Sequence, residues 1–285
     1  MAASLRSVGV RLRQAMRMAP STEHTSIRPD PSTRRDTWLG QVSRRGLARP
    51  SLAAMIALLA GRPAASAAVK EARMALFLDS ANLDDARRAS ALGFVVGATT
   101  NPALLARAGH SDARAALQAL CPLFPGTVFY QVLARTPEAM QKEAADFLPL
   151  AENLGLKIPC TIEGLEFSAR LSGDAIVAVT GVFAPGQAYL AAQAGAHFVI
   201  PYVNRVTRLT GDGPGLIDSM ADILDPTECE ILAAGIKSPA EAVDTLLAGA
   251  DHVSLPLDVI LALAENTLTE KAIVDFEAAW EARLR

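Results

Sequence analysis

The stretch Leu154-Gly155-Leu156-Lys157-Ile158-Pro159 opens one unit of a pattern that runs through most of the chain. A short apolar segment is followed by a turn and then by a helical pattern at 162–172. Short apolar strands that alternate with helices are typical of parallel βαβ units. Eight such strands are predicted, namely Leu76–Leu78, Phe94–Ala98, Val128–Leu133, Leu154–Ile158, Ile176–Val179, Phe198–Ile200, Glu230–Ala233 and His252–Leu255.

The helices between these strands favour a closed barrel. They are predicted at 83–92, 102–120, 137–153, 162–172, 185–195, 213–224, 239–249 and 256–265. Eight units in about 200 residues predict an α/β fold, a (β/α)8 TIM barrel, and Thr269–Arg285 adds an extra C-terminal helix. The alternative is an open doubly wound sheet, although no Gly-x-Gly-x-x-Gly turn follows the first strand.

Lys157 is the only one of five lysines that lies in an apolar strand pattern. Burial disfavours the charged ammonium, and the neutral amine attacks carbonyls to form a Schiff base. The alternative is a lysine at a strand end whose ammonium reaches solvent. Lys157 is therefore a candidate nucleophile for carbonyl chemistry.

Polar side chains follow several of the other predicted strands. In a barrel of this type the active site lies at the carboxyl ends of the strands. The set supplies a nucleophile, proton carriers and an anion clamp. Its members are Asp79, Thr99, Thr100, Asn101, Gln131, Lys157, Thr180, Tyr202, Asn204, Arg205, Gly235, Lys237 and Ser254.

Each of these residues also has a purely structural interpretation. Asp79 and Asn101 are suitable helix N-caps. Tyr202 is a candidate core aromatic whose hydroxyl bonds to the backbone. Gln131 is able to bond within the barrel wall, and Arg205 to pair with a surface carboxylate. All of them fall on the same edge of the predicted barrel, which favours a shared site.

Composition and charge exclude several classes of function. From Met74 onward the chain carries 14 basic and 26 acidic residues, so we expect no nucleic-acid partner. Three widely spaced cysteines indicate a reducing compartment, and we expect a cytoplasmic protein. Four histidines without metal-ligand spacing predict that no metal is used.

Residues 1–73 form a separate basic extension in this interpretation, and 74–285 form the catalytic barrel. The extension is an over-translated or disordered tail, or a targeting segment. Ser43–Leu47 resembles a twin-arginine signal, and the basic, acid-poor composition also fits a transit peptide. Residues 52–60 are too few to cross a bilayer, so no membrane association is expected.

Six motifs in the body match one known family. They are Leu76-Phe77-Leu78-Asp79-Ser80, Gly97-Ala98-Thr99-Thr100-Asn101-Pro102, Phe129-Tyr130-Gln131-Val132, Leu156-Lys157-Ile158-Pro159, Pro201-Tyr202-Val203-Asn204-Arg205 and Leu255-Pro256-Leu257-Asp258. On these motifs, residues 74–280 resemble the transaldolase family, most closely its small fructose-6-phosphate aldolase branch.

The resemblance implies a role for each site residue. Lys157 forms the Schiff base, while Asp79, Gln131, Thr180 and Tyr202 hold a catalytic water or move protons. Thr100 and Asn101 bind the donor ketose, and Arg205 binds the phosphate of the acceptor. The family further implies a sugar or sugar-phosphate substrate, no cofactor and a homo-oligomer.

Three positions bear on the choice between branches. Transaldolases usually have Glu and Phe where this chain has Gln131 and Tyr202, so the pair resembles the aldolase branch. Gly235 stands where such aldolases usually have a serine that binds phosphate, which widens the mouth, and Lys237 partly replaces the lost donor. The resemblance thus predicts a class I aldolase that releases dihydroxyacetone. A transaldolase and a sugar-phosphate-binding barrel without activity are the alternatives.

Overall fold

The computed structural model describes residues 74–171 and 173–283. The predicted basic extension, with its twin-arginine-like and transit-peptide interpretations, lies outside the described residues. Among the described residues, no helix is both long and apolar enough to cross a membrane.

Eight parallel strands close into a barrel in chain order. Closure is direct, because β1 pairs with β2 on one side and with β8 on the other. The predicted (β/α)8 fold is therefore confirmed. The strands are β1 Ala75–Asp79, β2 Val95–Thr99, β3 Val128–Gln131, β4 Leu154–Pro159, β5 Val177–Val182, β6 Phe198–Pro201, β7 Glu230–Ala233 and β8 His252–Leu255.

Helices surround the barrel, and the extra helix at the C-terminal end is present as α11. Two short 3-10 helices, Cys121–Leu123 and Leu148–Leu150, follow α3 and α4. The α-helices are α1 Leu83–Ala91, α2 Pro102–Arg107, α3 Ala113–Leu120, α4 Pro137–Phe147, α5 Ile162–Leu171, α6 Pro185–Gln193, α7 Val203–Thr210, α8 Gly213–Leu224, α9 Pro239–Leu247, α10 Leu257–Ala262 and α11 Thr267–Ala282.

Two helix predictions were wrong. The predicted helix at 102–120 is divided into α2 and α3, because Gly109 turns the chain with a φ of 78° and Asp112 caps a new helix. Helix α7 was not predicted at all. Its sequence from Val203 to Thr210 contains two Val and two Thr residues, which are weak helix formers, and no side chain caps its start.

Apolar side chains fill the interior of the barrel toward the amino ends of the strands. The interior at the carboxyl ends is left for polar groups. Phe77, Phe129 and Phe198 form a separate buried cluster with small and aliphatic residues. Gly155 on β4 makes room for this cluster, since a Cβ there would lie 2.8 Å from the Phe129 ring. Alternation along β4 then turns Lys157 to the same interior side as Gly155, one layer higher.

Candidate active site

The strand ends enclose a cavity of about 540 Å³. It brings together nine of the thirteen predicted site residues, and the four others, Thr99, Thr100, Thr180 and Ser254, are buried in the barrel wall. The predicted residues that line it are Asp79, Asn101, Gln131, Lys157, Tyr202, Asn204, Arg205, Gly235 and Lys237. Ala234 also lines it.

Lys157 is buried, with 1% of its surface exposed, and it projects from β4 into the cavity. Its Nζ donates a hydrogen bond of 3.3 Å to the carbonyl oxygen of Thr100. Burial lowers the pKa of the ammonium to about 8, and the negative charge of Asp79 works in the opposite direction. The neutral amine is thus accessible close to physiological pH, whereas a solvent-exposed lysine would stay charged.

Asp79 ends β1 and accepts a hydrogen bond from a buried chain of hydroxyls. Thr99 Oγ1 donates to Asp79 Oδ1 at 3.0 Å, and Thr99 Oγ1 lies 2.7 Å from Ser254 Oγ. Because the Thr99 proton is directed to the carboxylate, Ser254 is the donor to Thr99. The alternative interpretation of Asp79 as a helix cap is wrong, since Asn82 caps α1. The hydroxyl chain holds the carboxylate facing the cavity.

Tyr202 follows β6 and pairs with a threonine on the neighbouring strand. Its hydroxyl lies 2.8 Å from Thr180 Oγ1. Burial is the main cause that raises the pKa of the phenol, so Tyr202 keeps its proton at neutral pH. The Nζ of Lys157 lies 5.9 Å from the centre of the Tyr202 ring. A protonated phenol therefore stands close to the amine that would carry a substrate.

Gln131 ends β3 directly beside Lys157, its register partner on β4. Its Oε1 atom is buried and accepts no hydrogen bond from the residues that the structure describes. A buried amide oxygen without a donor is costly, and such groups concentrate at functional sites. Gln131 lines the cavity with an amide oxygen that has no donor where it lies, so the interpretation as a barrel-wall bond is not supported.

Asn101 and Thr100 both form hydrogen bonds that stabilise the barrel, and both also contribute to the site. The side chain of Asn101 caps α2 by accepting from the Leu104 N–H at 2.9 Å, and the residue still lines the cavity. The Thr100 hydroxyl donates to the carbonyl of Phe129 at 2.8 Å. Thr100 thus reaches the site through its backbone carbonyl, which accepts from Lys157, rather than through its side chain.

Arg205 lies on the first turn of α7 and stacks on aromatic rings. Its guanidinium carbon lies 5.4 Å from the centre of the Tyr202 ring and 5.9 Å from that of Phe183. Among the described residues it forms no ion pair with a carboxylate, so the interpretation as a surface ion pair is wrong. Stacking leaves the planar edge of a guanidinium available for an anion.

The chain matches the family model described as Transaldolase/Fructose-6-phosphate aldolase over residues 76–285. It belongs to this family. A probable transaldolase of Maridesulfovibrio salexigens is 41% identical over 73% of this chain and 98% of the relative. One of Exiguobacterium sibiricum is 37% identical over the same shares. A mandelate oxidase crystal structure superposes with a TM-score of 0.46 at 19% identity, over 67% of each chain.

Membership of the transaldolase/fructose-6-phosphate aldolase family makes this chain an enzyme of the aldolase or transaldolase type. Among residues 74–171 and 173–283, no group of three or more His, Cys, Asp or Glu side chains is placed to hold a metal ion. The functional groups that line the cavity include an amine, a phenol, amides and a carboxylate.

Gly235 follows β7 and has a φ of 69°, a conformation that L side chains rarely adopt. A Cβ at this position would lie 3.6 Å from the Tyr202 backbone, which is an ordinary contact. Glycine is therefore favoured here by the backbone conformation and not by a lack of space. Lys237, two residues later, is exposed at the rim. The backbone N–H of Lys237 donates to the Glu241 carboxylate at 2.7 Å, which fixes this segment of the rim.

Two arginines that the sequence did not single out also line the cavity, Arg107 and Arg208. Arg208 lies one turn beyond Arg205 on α7, and it was missed because α7 was not predicted. Arg107 lies in the last turn of α2. It was missed because an arginine near a helix C-terminus has an ordinary structural explanation, its interaction with the helix dipole.

Proposed function

We propose that this enzyme is a class I aldolase that cleaves and forms a carbon–carbon bond of a ketose through a Schiff base on Lys157. The observation that carries the proposal is the lysine itself. Lys157 is buried and lines a polar cavity, and its pKa is lowered to about 8. A neutral amine in such a position attacks a ketone without any cofactor.

The reaction begins when Lys157 Nζ adds to the C2 carbonyl of the ketose. Loss of water gives an iminium, which accepts the electron pair of the carbon–carbon bond as that bond breaks. The aldehyde leaves and an enamine remains on Lys157. Protonation of the enamine and hydrolysis release dihydroxyacetone and return the amine.

Three side chains are placed to move the protons. Tyr202 and Gln131 line the cavity together with Lys157, and the Tyr202 hydroxyl is paired with Thr180 at 2.8 Å. We assign to these three groups the binding of a water molecule that takes the hydroxyl proton of the ketose and returns a proton to the enamine. Asp79, held by Thr99, exchanges protons with the Lys157 nitrogen as the carbinolamine forms and breaks down.

The substrate class follows from charge. Apart from Lys157, the cavity is lined by four cationic side chains and a single carboxylate, Asp79, within a strongly acidic barrel. A cationic patch in an acidic surface attracts anions, and guanidinium groups suit phosphate. We assign Arg205 and Lys237 to the phosphate at the aldehyde end of a sugar phosphate, and Asn101 to the hydroxyls of the donor end.

A transaldolase is the second candidate, and the names of the relatives favour it. It differs in one step, because its enamine waits for a second aldehyde instead of being protonated. The phenol of Tyr202 beside Lys157 favours protonation and therefore cleavage. Product formation with and without an acceptor aldehyde separates the two activities.

Borohydride trapping tests the shared chemistry. The full chain is incubated with dihydroxyacetone or fructose 6-phosphate and reduced, and the adduct is mapped by mass spectrometry. We expect one adduct on Lys157 and none on the exposed Lys142 or Lys271. A folded protein that gives no adduct with either ketose would exclude the proposed mechanism.

The lowered pKa of Lys157 predicts the pH dependence of the reaction. Because only the neutral amine attacks, kcat/KM should rise about tenfold per pH unit below pH 8 and level off above it. The measurement is kcat/KM for fructose 6-phosphate between pH 6 and 9, with folding checked by circular dichroism. A profile that is flat between pH 6 and 8 would contradict an essential amine of this pKa.

We further propose that the enzyme is a homo-oligomer held together through α11. None of the residues of this helix is buried, and Ile273, Phe276 and Trp280 form an exposed apolar face. A face of this kind is a usual feature of subunit interfaces. A second copy of the chain is the simplest partner, since each copy offers the same face.

Analytical ultracentrifugation tests this assembly. We expect the parent protein to sediment as an oligomer and Phe276→Glu to shift it to smaller species, because a buried charge at an interface is costly. Asp275→Asn, on the same helix, should leave the assembly unchanged. A monomeric parent protein would contradict the proposal.

A further inference from the structure

The three arginines around the cavity stand on two opposite sides of the barrel. Arg205 and Arg208 lie on α7, which follows β6, whereas Arg107 lies on α2, which follows β2. In a closed barrel of eight strands in chain order, β2 and β6 are four strands apart in either direction and face each other. Arg107 and Arg205 therefore face each other across the mouth.

Arg107 is directed at the cavity and has no anionic partner. Ala103 and Arg107 are four residues apart, so they share one face of α2, and both line the cavity. The Nε atom of Arg107 donates a long hydrogen bond of 3.4 Å to the Ala103 carbonyl. It forms no ion pair with any described carboxylate.

Arg107 also lines a neighbouring cavity of about 460 Å³, in which Lys237 is the other base. That cavity carries three carboxylates, Asp79, Asp85 and Asp258, so it does not suit a polyanion as a whole. Arg107, Lys237 and Asp79 line both cavities, so two cations and one carboxylate stand where the cavities meet. An anionic group would therefore be held at this junction rather than beyond it.

The attachment point divides a bound ketose into two arms. Lys157 on β4 holds C2, and the aldehyde-side arm extends toward Arg205 in the proposed function. The remaining arm, C1 with its oxygen, then points to the other side of the mouth, where β2 and α2 lie. A substituent on that oxygen comes within the range of Arg107.

We propose that Arg107 forms a second phosphate-binding position, which accepts ketoses that are phosphorylated at C1 as well as at the far end. This inference rests on the proposed function. Lys157 forms an iminium with the ketose bisphosphate by loss of water, and a water molecule in the site takes the C4 hydroxyl proton. The electron pair of the bond between C3 and C4 passes to the iminium, which becomes an enamine, and an aldehyde phosphate leaves. Protonation of the enamine and addition of water then release dihydroxyacetone phosphate and the free amine.

The test compares two three-carbon ketones that differ only in the phosphate. The full-length parent is titrated with dihydroxyacetone or dihydroxyacetone phosphate, and the reduced adduct on Lys157 is quantified by mass spectrometry. We expect half-maximal trapping at an about tenfold lower concentration of the phosphorylated ketone, in line with a charge-assisted hydrogen bond. The advantage should shrink between 0.05 and 0.5 M salt.

Arginine variants locate the contact. Arg107→Gln should abolish the advantage of the phosphorylated ketone and leave trapping of dihydroxyacetone unchanged, which also shows that the variant is folded. Arg107→Lys should keep part of the advantage. Arg87→Gln is the matched control, because Arg87 is exposed, lies on α1 and pairs with Asp84 outside the cavity.

The outcomes separate this inference from the proposed function. Equal half-maximal concentrations in the parent would overturn the second phosphate position while leaving the Schiff base in place. An advantage that survives Arg107→Gln but is lost in Arg205→Gln would place the phosphate over β6 and overturn the assignment. No adduct with either ketone would overturn the proposed function and the inference with it.

Discussion

Replacing Lys157 with methionine is expected to abolish turnover and, at the same time, to stabilise the fold. The thioether cannot form a Schiff base, so we expect kcat to fall at least about 10⁴-fold, below the detection limit of a standard aldolase assay. Methionine fills nearly the same volume in an unbranched shape, so the buried site should accommodate it.

The gain in stability follows from the cost of the buried ammonium. The pKa of Lys157 is lowered from 10.5 to about 8, so below pH 8 folding has to bury a charge. This shift corresponds to about 3 kcal/mol, from which loss of the hydrogen bond to the Thr100 carbonyl subtracts about 1 kcal/mol. At pH 7 we expect a Tm increase of roughly 4–8 °C.

The pH dependence identifies the cause of this stabilisation. The free-energy cost of burying the Lys157 ammonium is complete below pH 8 and declines as pH rises toward 10.5. It vanishes above pH 10.5, because the folded and unfolded states then both carry the neutral amine. The difference in Tm between parent and Lys157→Met should therefore shrink between pH 8 and 10.

Lys142→Met is the matched control, since Lys142 is an exposed lysine on α4. It should change neither turnover nor Tm. A Lys157→Met protein that is less stable than the parent at pH 7 would mean that the ammonium is well solvated in the folded state. The lowered pKa on which the proposed mechanism depends would then be wrong.

The barrel was predictable because each strand carries its own signal. A segment such as Val177–Val182 is mostly apolar and buried on both faces, since its side chains pack against the interior and against the helices. Turn residues and helix caps, for example Asn101 before Pro102, mark where several of the helices begin. These are local properties, which a single sequence displays.

The position of Lys157 was predictable for the same reason, because a lone lysine in an apolar strand contradicts its surroundings. The hydrogen-bond chain that ends at Asp79 was not. Thr99 and Ser254 are separated by 155 residues, and only closure of the barrel between β1 and its two neighbours brings Thr99 to that carboxylate and Ser254 to Thr99. Long-range contacts of this kind leave no mark on the local pattern.

The cationic residues around the cavity show a further limit of prediction from the sequence. Arg107 and Arg208 lie on helices whose surface arginines are unremarkable in sequence, and their common position became visible only with the cavity. Gly235 is similar, because its φ of 69° depends on how the chain leaves β7. Substrate size and charge are therefore encoded in the loops and helices after the strands, where the sequence pattern is least informative.

Replacing Tyr202 with phenylalanine is expected to shift the balance from cleavage toward transfer. The Tyr202 hydroxyl is protonated and hydrogen-bonded to Thr180 at 2.8 Å, and the centre of its ring lies 5.9 Å from the nitrogen that carries the enamine. Its removal deprives the enamine of a proton source, and general acid catalysis of this kind contributes about 10²–10⁴-fold. Cleavage of fructose 6-phosphate without an acceptor should fall at least about 100-fold.

Transfer does not need that proton, because an acceptor aldehyde captures the enamine instead. We therefore expect the ratio of transfer to cleavage, measured with erythrose 4-phosphate as the acceptor, to rise at least about tenfold in Tyr202→Phe. Tyr130→Phe is the matched control. Its hydroxyl donates to Glu143 at 2.7 Å outside the cavity, and two backbone N–H groups still hold that carboxylate after the change.

The two rates together determine which proton transfer the phenol serves. If cleavage and transfer fall equally, Tyr202 acts before the enamine forms, in formation of the iminium or in breaking the carbon–carbon bond that both reactions share. If cleavage alone falls, the hydroxyl acts on the enamine, and this one oxygen separates an aldolase from a transferase on the same barrel. The burial that keeps the phenol protonated is then part of the specificity, because a phenolate could not donate.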